Sequence, residues 1–102
     1  MTTAKTRTLS EGRDAELLRL EADCRALEAG MADADQDGRD ALTDRAEAIR
    51  WRIAHLRAHT PAGMAAKARL LLEAVLTGEA GWSEPLARGL LADLERQERK
   101  QA

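Results

Sequence analysis

The feature that most narrows the folds open to this chain is a shortage. Ile and Val together occur three times in 102 residues, and Phe, Tyr and Asn do not occur at all. Sheets fill their pleated faces with β-branched and aromatic side chains, so a β-rich fold is all but excluded. Ala (21) and Leu (15) carry the apolar content instead, and both favour helix. The expectation is an all-α protein with a small-residue core. It divides into a flexible N-terminus over 1–8, a single helical domain over 9–99 and a frayed tail over 100–102.

Spacing places the helices. Thr8 and Glu11 stand at the interval of a capping box, in which each side chain satisfies a backbone amide of the first turn. A first helix is therefore expected over about 9–30. Along it Leu17, Leu20, Cys24, Leu27 and Met31 recur at intervals of 3, 4, 3 and 4, the period of a coiled-coil seam. Leu42, Ala46, Ile49, Ile53 and Leu56 repeat the pattern at 4, 3, 4 and 3, defining a second helix over about 40–58. Two such seams joined by a short polar turn make a long antiparallel hairpin. Charge supports the pairing: residues 11–44 carry 11 acidic and 4 basic side chains, whereas residues 45–69 carry 1 and 6. Asp14, Glu21 and Glu28 flank the first seam, facing Arg45 and Arg52, or Arg50 and Arg57, beside the second.

Thr60-Pro61 stops the second helix and opens a third, with Thr as N-cap and Pro at the first helical position. This helix spans about 61–77 and meets its natural C-terminal glycine at Gly78. Its apolar set reads Met64, Ala65, Ala68, Leu71, Leu72, Val75 and Leu76. Leu70 lies off that stripe and needs a second contact. Ser83 caps a last helix over about 84–99, whose buried face is expected to be Leu86, Leu90, Leu91 and Leu94.

Trp51 points almost opposite the second seam, on a side paved by Ala48, Ala54 and Ala58. An exposed apolar patch of this kind calls for cover. The expected cover is the chain's own third and fourth helices, the alternative a second subunit, and self-association as a dimer is expected in either case. Trp51, Ala54, Ala58, Leu70 and Trp82 are the interface candidates.

The formal charge is −2 and the chain has a single cysteine. No general basic field draws it to nucleic acid or to a membrane, and Cys24 has no internal disulfide partner. The start of the chain lacks the apolar run of a signal peptide, and no stretch reaches the ~20 apolar residues of a membrane span. A cytoplasmic location is expected.

Four motifs bear on chemistry. Asp33, Asp35, Asp37 and Gly38, with Asp44 in the twelfth position, imitate a calcium loop. Asp40 stands where such loops have an apolar residue, however, and Asp44 replaces the usual bidentate Glu, so this is a weak calcium candidate beside the simpler reading of a solvated, helix-capping turn. His55 and His59 have the four-residue spacing of paired zinc ligands, but more simply read as exposed histidines near a helix C-terminus. Cys24, at a seam position, reads as a small core residue rather than a reactive thiol. Arg45, Arg50, Arg52 and Arg57 form a basic stretch able to meet phosphates, partly neutralised by the acidic arm of the hairpin. No cofactor is implied. Ser10 and Ser83 are the only serines, both at capping positions, and no base stands beside a nucleophile, so no enzymatic activity is expected.

The segments Thr60-Pro-Ala-Gly-Met-Ala-Ala-Lys-Ala-Arg69 and Pro85-Leu-Ala-Arg-Gly-Leu-Leu-Ala-Asp-Leu-Glu-Arg96 resemble those of a loose group of small uncharacterised bacterial helical proteins. In these a helical hairpin is followed by a T-P-A-G-x-x-A-K-x-R stretch and a P-L-A-R-x-L-L-A-D-x-x-R helix. The resemblance covers residues 40–97 and implies an all-α fold; no functional residues carry over from it. The function expected from the whole sequence is a self-associating, non-enzymatic interaction module, acting as a small adaptor or regulator. The alternative is a nucleic-acid-associated regulator working through the second helix.

Overall fold

The computed structural model describes residues 12–78 and 81–101. The Thr8–Glu11 capping box and the expected 1–8 terminus lie outside them. Among the described residues the chain is all-α, with four helices: α1 (Ala15–Met31), α2 (Gln36–His55), α3 (Pro61–Thr77) and α4 (Ser83–Gln101).

The α1–α2 turn is tighter than the Asp-rich sequence led us to expect. Asp35 caps α2 through Oδ1, which accepts from the Gly38 amide at 2.8 Å, so the helix begins four residues before Asp40. Arg39 reaches back to donate to the Met31 carbonyl at 3.3 Å, satisfying one of the acceptors a helix C-terminus leaves open. The other end of α2 falls short of Ala58: Leu56 is extended (ψ 139°), and its amide closes on the carbonyls of Arg52 and Ile53. Helix α3 has the expected bounds. Thr60 Oγ1 accepts from the Gly63 amide at 3.1 Å, and Gly78 ends the helix at φ 72°, a left-handed conformation that glycine adopts without steric cost. Helix α4 runs through to Gln101, past the expected start of the frayed tail.

Consecutive helices run antiparallel. The two seams meet as read: Leu17, Cys24, Ala46 and Ile53 are buried, and Leu20, Leu27, Leu42 and Ile49 are half-buried. On its other side α2 receives α4 at close range, because a Cβ at Gly89 would stand 3.1 Å from the Ala54 carbonyl oxygen. Trp82, just before α4, is the largest fully buried side chain at 1% exposure. The Arg50 guanidinium lies 5.6 Å from its ring centroid, within cation–π range.

Two expected faces are rotated. On α3 the buried residues are Gly63, Met64, Ala66, Lys67, Leu70 and Ala74, whereas Leu72, Val75 and Leu76 are 58%, 72% and 76% exposed. Leu70, the residue read as lying off the stripe, is at the centre of the contact. On α4 Leu86 and Asp93 are buried, and Leu91 and Leu94 are 58% and 48% exposed. The cause is one ion pair. Lys67 Nζ donates to Asp93 Oδ2 at 2.7 Å with both side chains almost wholly buried, so α3 and α4 turn these residues inward, and small neighbours let the helices approach.

Candidate functional site

The segment joining α2 to α3 holds the most polar part of the interior. Its three successive amides all donate to buried carboxylates. Ala58 N–H reaches Asp93 Oδ2 at 3.1 Å, His59 N–H reaches Asp14 Oδ1 at 2.9 Å, and Thr60 N–H reaches Asp14 Oδ2 at 2.9 Å. Thr60 Oγ1 also bonds Asp14, and Arg96 bonds Asp93. Asp14 and Asp93 are each 2% exposed, so these bonds supply the compensation that buried charge requires. Asp14 was expected beside the hairpin seam facing an arginine; it instead ties the start of α1 to the α2–α3 connection. Sequence reasoning missed both carboxylates. The available signal was Lys67, the one charged residue among the apolar positions in the first half of the third helix.

Beside this clamp lies a pocket of about 210 Å³, lined by Arg13, Arg57, His59, Arg96 and Lys100 together with Ala58, Met64, Gln97 and Asp93. Three separate segments contribute its cations: the residue before Asp14, the α2–α3 connection and the last turns of α4. Arg13, Arg57 and Lys100 form no ion pair with the described residues.

The outer side of α3 has a different character. At about 100° per residue, Ala65, Ala68, Leu72, Val75 and Leu76 all lie well around the helix from Leu70, and all are exposed. No charged side chain interrupts them. On α4, Leu91 and Leu94 are exposed as well.

The sequence candidates distribute as follows. Ala54, Ala58, Leu70 and Trp82 are buried in the chain's own core, so they present no surface to a partner while the fold is closed. Trp51 alone of that set remains exposed, at 39%. It is only partly covered: a Cβ at Gly81, in the α3–α4 connection, would stand 3.4 Å from its ring, and the ring stacks on His55 with centroids 6.0 Å apart. Among the arginines, Arg50 is paired with Glu28 and Arg52 with Glu16 at 3.1 Å, leaving Arg45 and Arg57 well separated along α2 and beyond its end. Glu21 contacts Arg25 and, from α3, Arg69 at 2.9 Å. The hydrogen bond from Arg69 holds the Glu21 carboxyl below its ordinary range.

The calcium reading fails on geometry. Asp35 is committed to capping α2, Asp37 and Asp44 lie on that helix, and Asp33 lies before it, so the four carboxylates do not encircle a point. No group of three or more His, Cys, Asp or Glu side chains among the described residues is arranged to hold a metal ion. His55 and His59 do not share a helical flank, because α2 ends at His55. His55 Nδ1 lies 2.8 Å from the Trp51 carbonyl oxygen, whereas the backbone of His59 is turned to Asp14. Cys24 is 3% exposed, and burial pushes its thiol up to about 11, which disfavours the nucleophilic thiolate.

Fold and surface together define a small all-α protein of successive antiparallel helices, with a polar clamp at one end and an apolar outer face. Among the described residues no helix is long and apolar enough to cross a membrane. Compared with models of protein families, with curated proteins and with solved structures, the chain matches none of them.

Proposed function

We propose that this chain is a cytoplasmic, non-enzymatic interaction module that associates with a second copy of itself through the outer face of α3. The observation that carries this reading is the exposure of Leu72, Val75 and Leu76 at 58%, 72% and 76%. A helix that is apolar on both sides is ordinarily covered on both, and contiguous apolar patches beyond about a few hundred Å² are rare on monomers.

The shape of the face favours a copy of itself as the occupant. Its N-terminal half carries Ala65 and Ala68, and its C-terminal half carries Leu72, Val75 and Leu76. Two copies related by a two-fold axis, with their third helices antiparallel, set the large half of each against the small half of the other. Such self-complementarity is what an isologous interface requires. Full burial of a Leu or Val is worth about 1.5–3 kcal/mol. Covering Leu72, Val75 and Leu76 on both copies therefore yields on the order of 10 kcal/mol. Association costs about 4–15 kcal/mol in lost freedom, which leaves at most about 6 kcal/mol, so the dimer is reversible rather than obligate and dissociates at tens of micromolar or above. Buried, protonated Cys24 supports the non-enzymatic part of the reading.

Sedimentation equilibrium over a concentration series tests the proposal. The wild type should shift from monomer to dimer at tens of micromolar or above, and Leu72→Glu with Leu76→Glu should remain monomeric with unchanged helicity. A wild type that stays monomeric throughout, or a variant that dimerises equally well, refutes it.

A further inference from the structure

We infer that the pocket beside the α2–α3 connection is a binding site for a compact phosphate-bearing anion, of the size of orthophosphate or pyrophosphate. Arg13, Arg57, Arg96 and Lys100 line one cavity of about 210 Å³, with His59 as a further nitrogen-bearing side chain. Its single carboxylate, Asp93, is already engaged by Lys67, Arg96 and the Ala58 amide. With Lys67 behind it, that carboxylate is neutralised from below, and the cavity retains a positive excess. Like charges gathered this closely disfavour the empty state, and the fold does not require them there. Several arginines elsewhere are matched to glutamates, as in Arg52–Glu16, Arg69–Glu21 and Arg88–Glu84. Guanidinium groups arriving from three segments suit the several oxygens of a phosphate, which they bind in bidentate fashion. Arg96 is held in place by its bond to Asp93, so part of the site is organised before any anion arrives.

Size and surroundings favour a compact anion over a nucleic-acid backbone. The cavity is smaller than the roughly 300–1,000 Å³ of drug-sized ligand sites. A duplex presents a charge about every 1.7 Å along its axis and is met by extended basic stripes. Here the next arginines along α2, Arg52 and Arg50, are paired with Glu16 and Glu28, which interrupts a basic stripe along that helix.

Isothermal titration of the full chain with orthophosphate, pyrophosphate and a labelled single-stranded DNA oligomer tests the inference. Pyrophosphate should bind with a sub-millimolar Kd and orthophosphate more weakly. Arg57→Ala and Arg13→Ala should each weaken pyrophosphate about tenfold or more, the scale of losing a hydrogen bond to a charged group. Both variants should fold, because neither side chain holds an ion pair with the described residues, and circular dichroism checks this. Arg88→Ala, exposed on α4 and paired with Glu84, should leave the affinity unchanged. No heat with either phosphate, affinity unaltered in Arg57→Ala and Arg13→Ala, or DNA bound more tightly than pyrophosphate would each overturn the assignment.

Discussion

Replacing Lys67 by methionine removes the ammonium from an ion pair whose side chains are 1% and 2% exposed. Stripping one partner from a buried pair costs about 3–5 kcal/mol, because the remaining charge is left without compensation. Asp93 keeps Arg96 and the Ala58 amide in this variant, so the lower end, about 3 kcal/mol, is expected. Asp93→Ala is the harsher change. It strands a Lys67 ammonium whose only ion-pair partner among the described residues is Asp93, leaves the Ala58 amide without its acceptor, and should cost about 5 kcal/mol. Against a total stability of about 5–15 kcal/mol, either loss is large. With a urea slope of about 1–3 kcal/mol per molar, Lys67→Met should lower the midpoint by about 1–3 M, followed by circular dichroism at sub-micromolar protein so that association does not contribute. The double variant Lys67→Met/Asp93→Asn removes both charges and keeps an oxygen acceptor for Ala58. It should return to within about 1.5 kcal/mol of wild type, since a buried pair and a neutral replacement of similar volume differ little. A Lys67→Met loss under about 1 kcal/mol, or a double variant as unstable as the sum of the singles, would refute the claim that this pair sets the facing of α3 and α4.

Gly63→Ala is expected to destabilise, although a glycine in a helix interior ordinarily gains about 0.5–1 kcal/mol on this change. The new Cβ would lie 2.0 Å from Asp14 Oδ2, and the carboxylate cannot retreat without breaking its bonds to His59 and Thr60. The loss should reach at least about 2 kcal/mol, read as a drop of roughly 8 °C or more in Tm. Cys24 should react with a disulfide reagent at pH 8 more than tenfold slower in the folded protein than in denaturant. Its thiol is raised from 9.0 to about 11 in the fold, so the unfolded chain ionises first, and stability should decline as pH rises from about 9 through 11. A Cys24→Ala variant should show a flatter alkaline limb. The two tryptophans should separate cleanly in urea titrations: Trp82→Ala loses about 3–5 kcal/mol as a core truncation, and exposed Trp51→Ala about 1 kcal/mol.

Much of the local structure was legible because it depends on neighbours in the chain. Thr60-Pro61 and Gly78 bound α3 where read, since capping and a left-handed glycine act over three or four residues. The two heptad seams predicted which residues meet in the hairpin, because period and burial coincide when a helix has one partner. The limits of α2 were less legible: the helix was read from about residue 40 although Asp35 caps it earlier, and the end at His55 follows from the distant carboxylates of Asp14 and Asp93 drawing the next amides out of the helix.

The two C-terminal helices show where such reading stops. Hydrophobic counting turned Leu72, Val75, Leu76, Leu91 and Leu94 inward and gave Lys67 and Asp93 no part in the expected faces. The interior accepted the two charged groups because each answers the other across 2.7 Å, and because Asp93 also receives Arg96 and an amide. A partner 26 residues away leaves no trace in helical period.

By itself the sequence determined that this protein is helical, where α3 begins and ends and how its first two helices pair, since those follow from propensity, capping and a seam's period. Only the tertiary structure decided which side of α3 and α4 faces inward, that Asp14 and Asp93 hold the α2–α3 connection, and that Arg13, Arg57, Arg96 and Lys100 converge on one pocket. Those outcomes rest on groups far apart in the chain, whose desolvation is tolerable only when folding brings their partners within hydrogen-bonding distance.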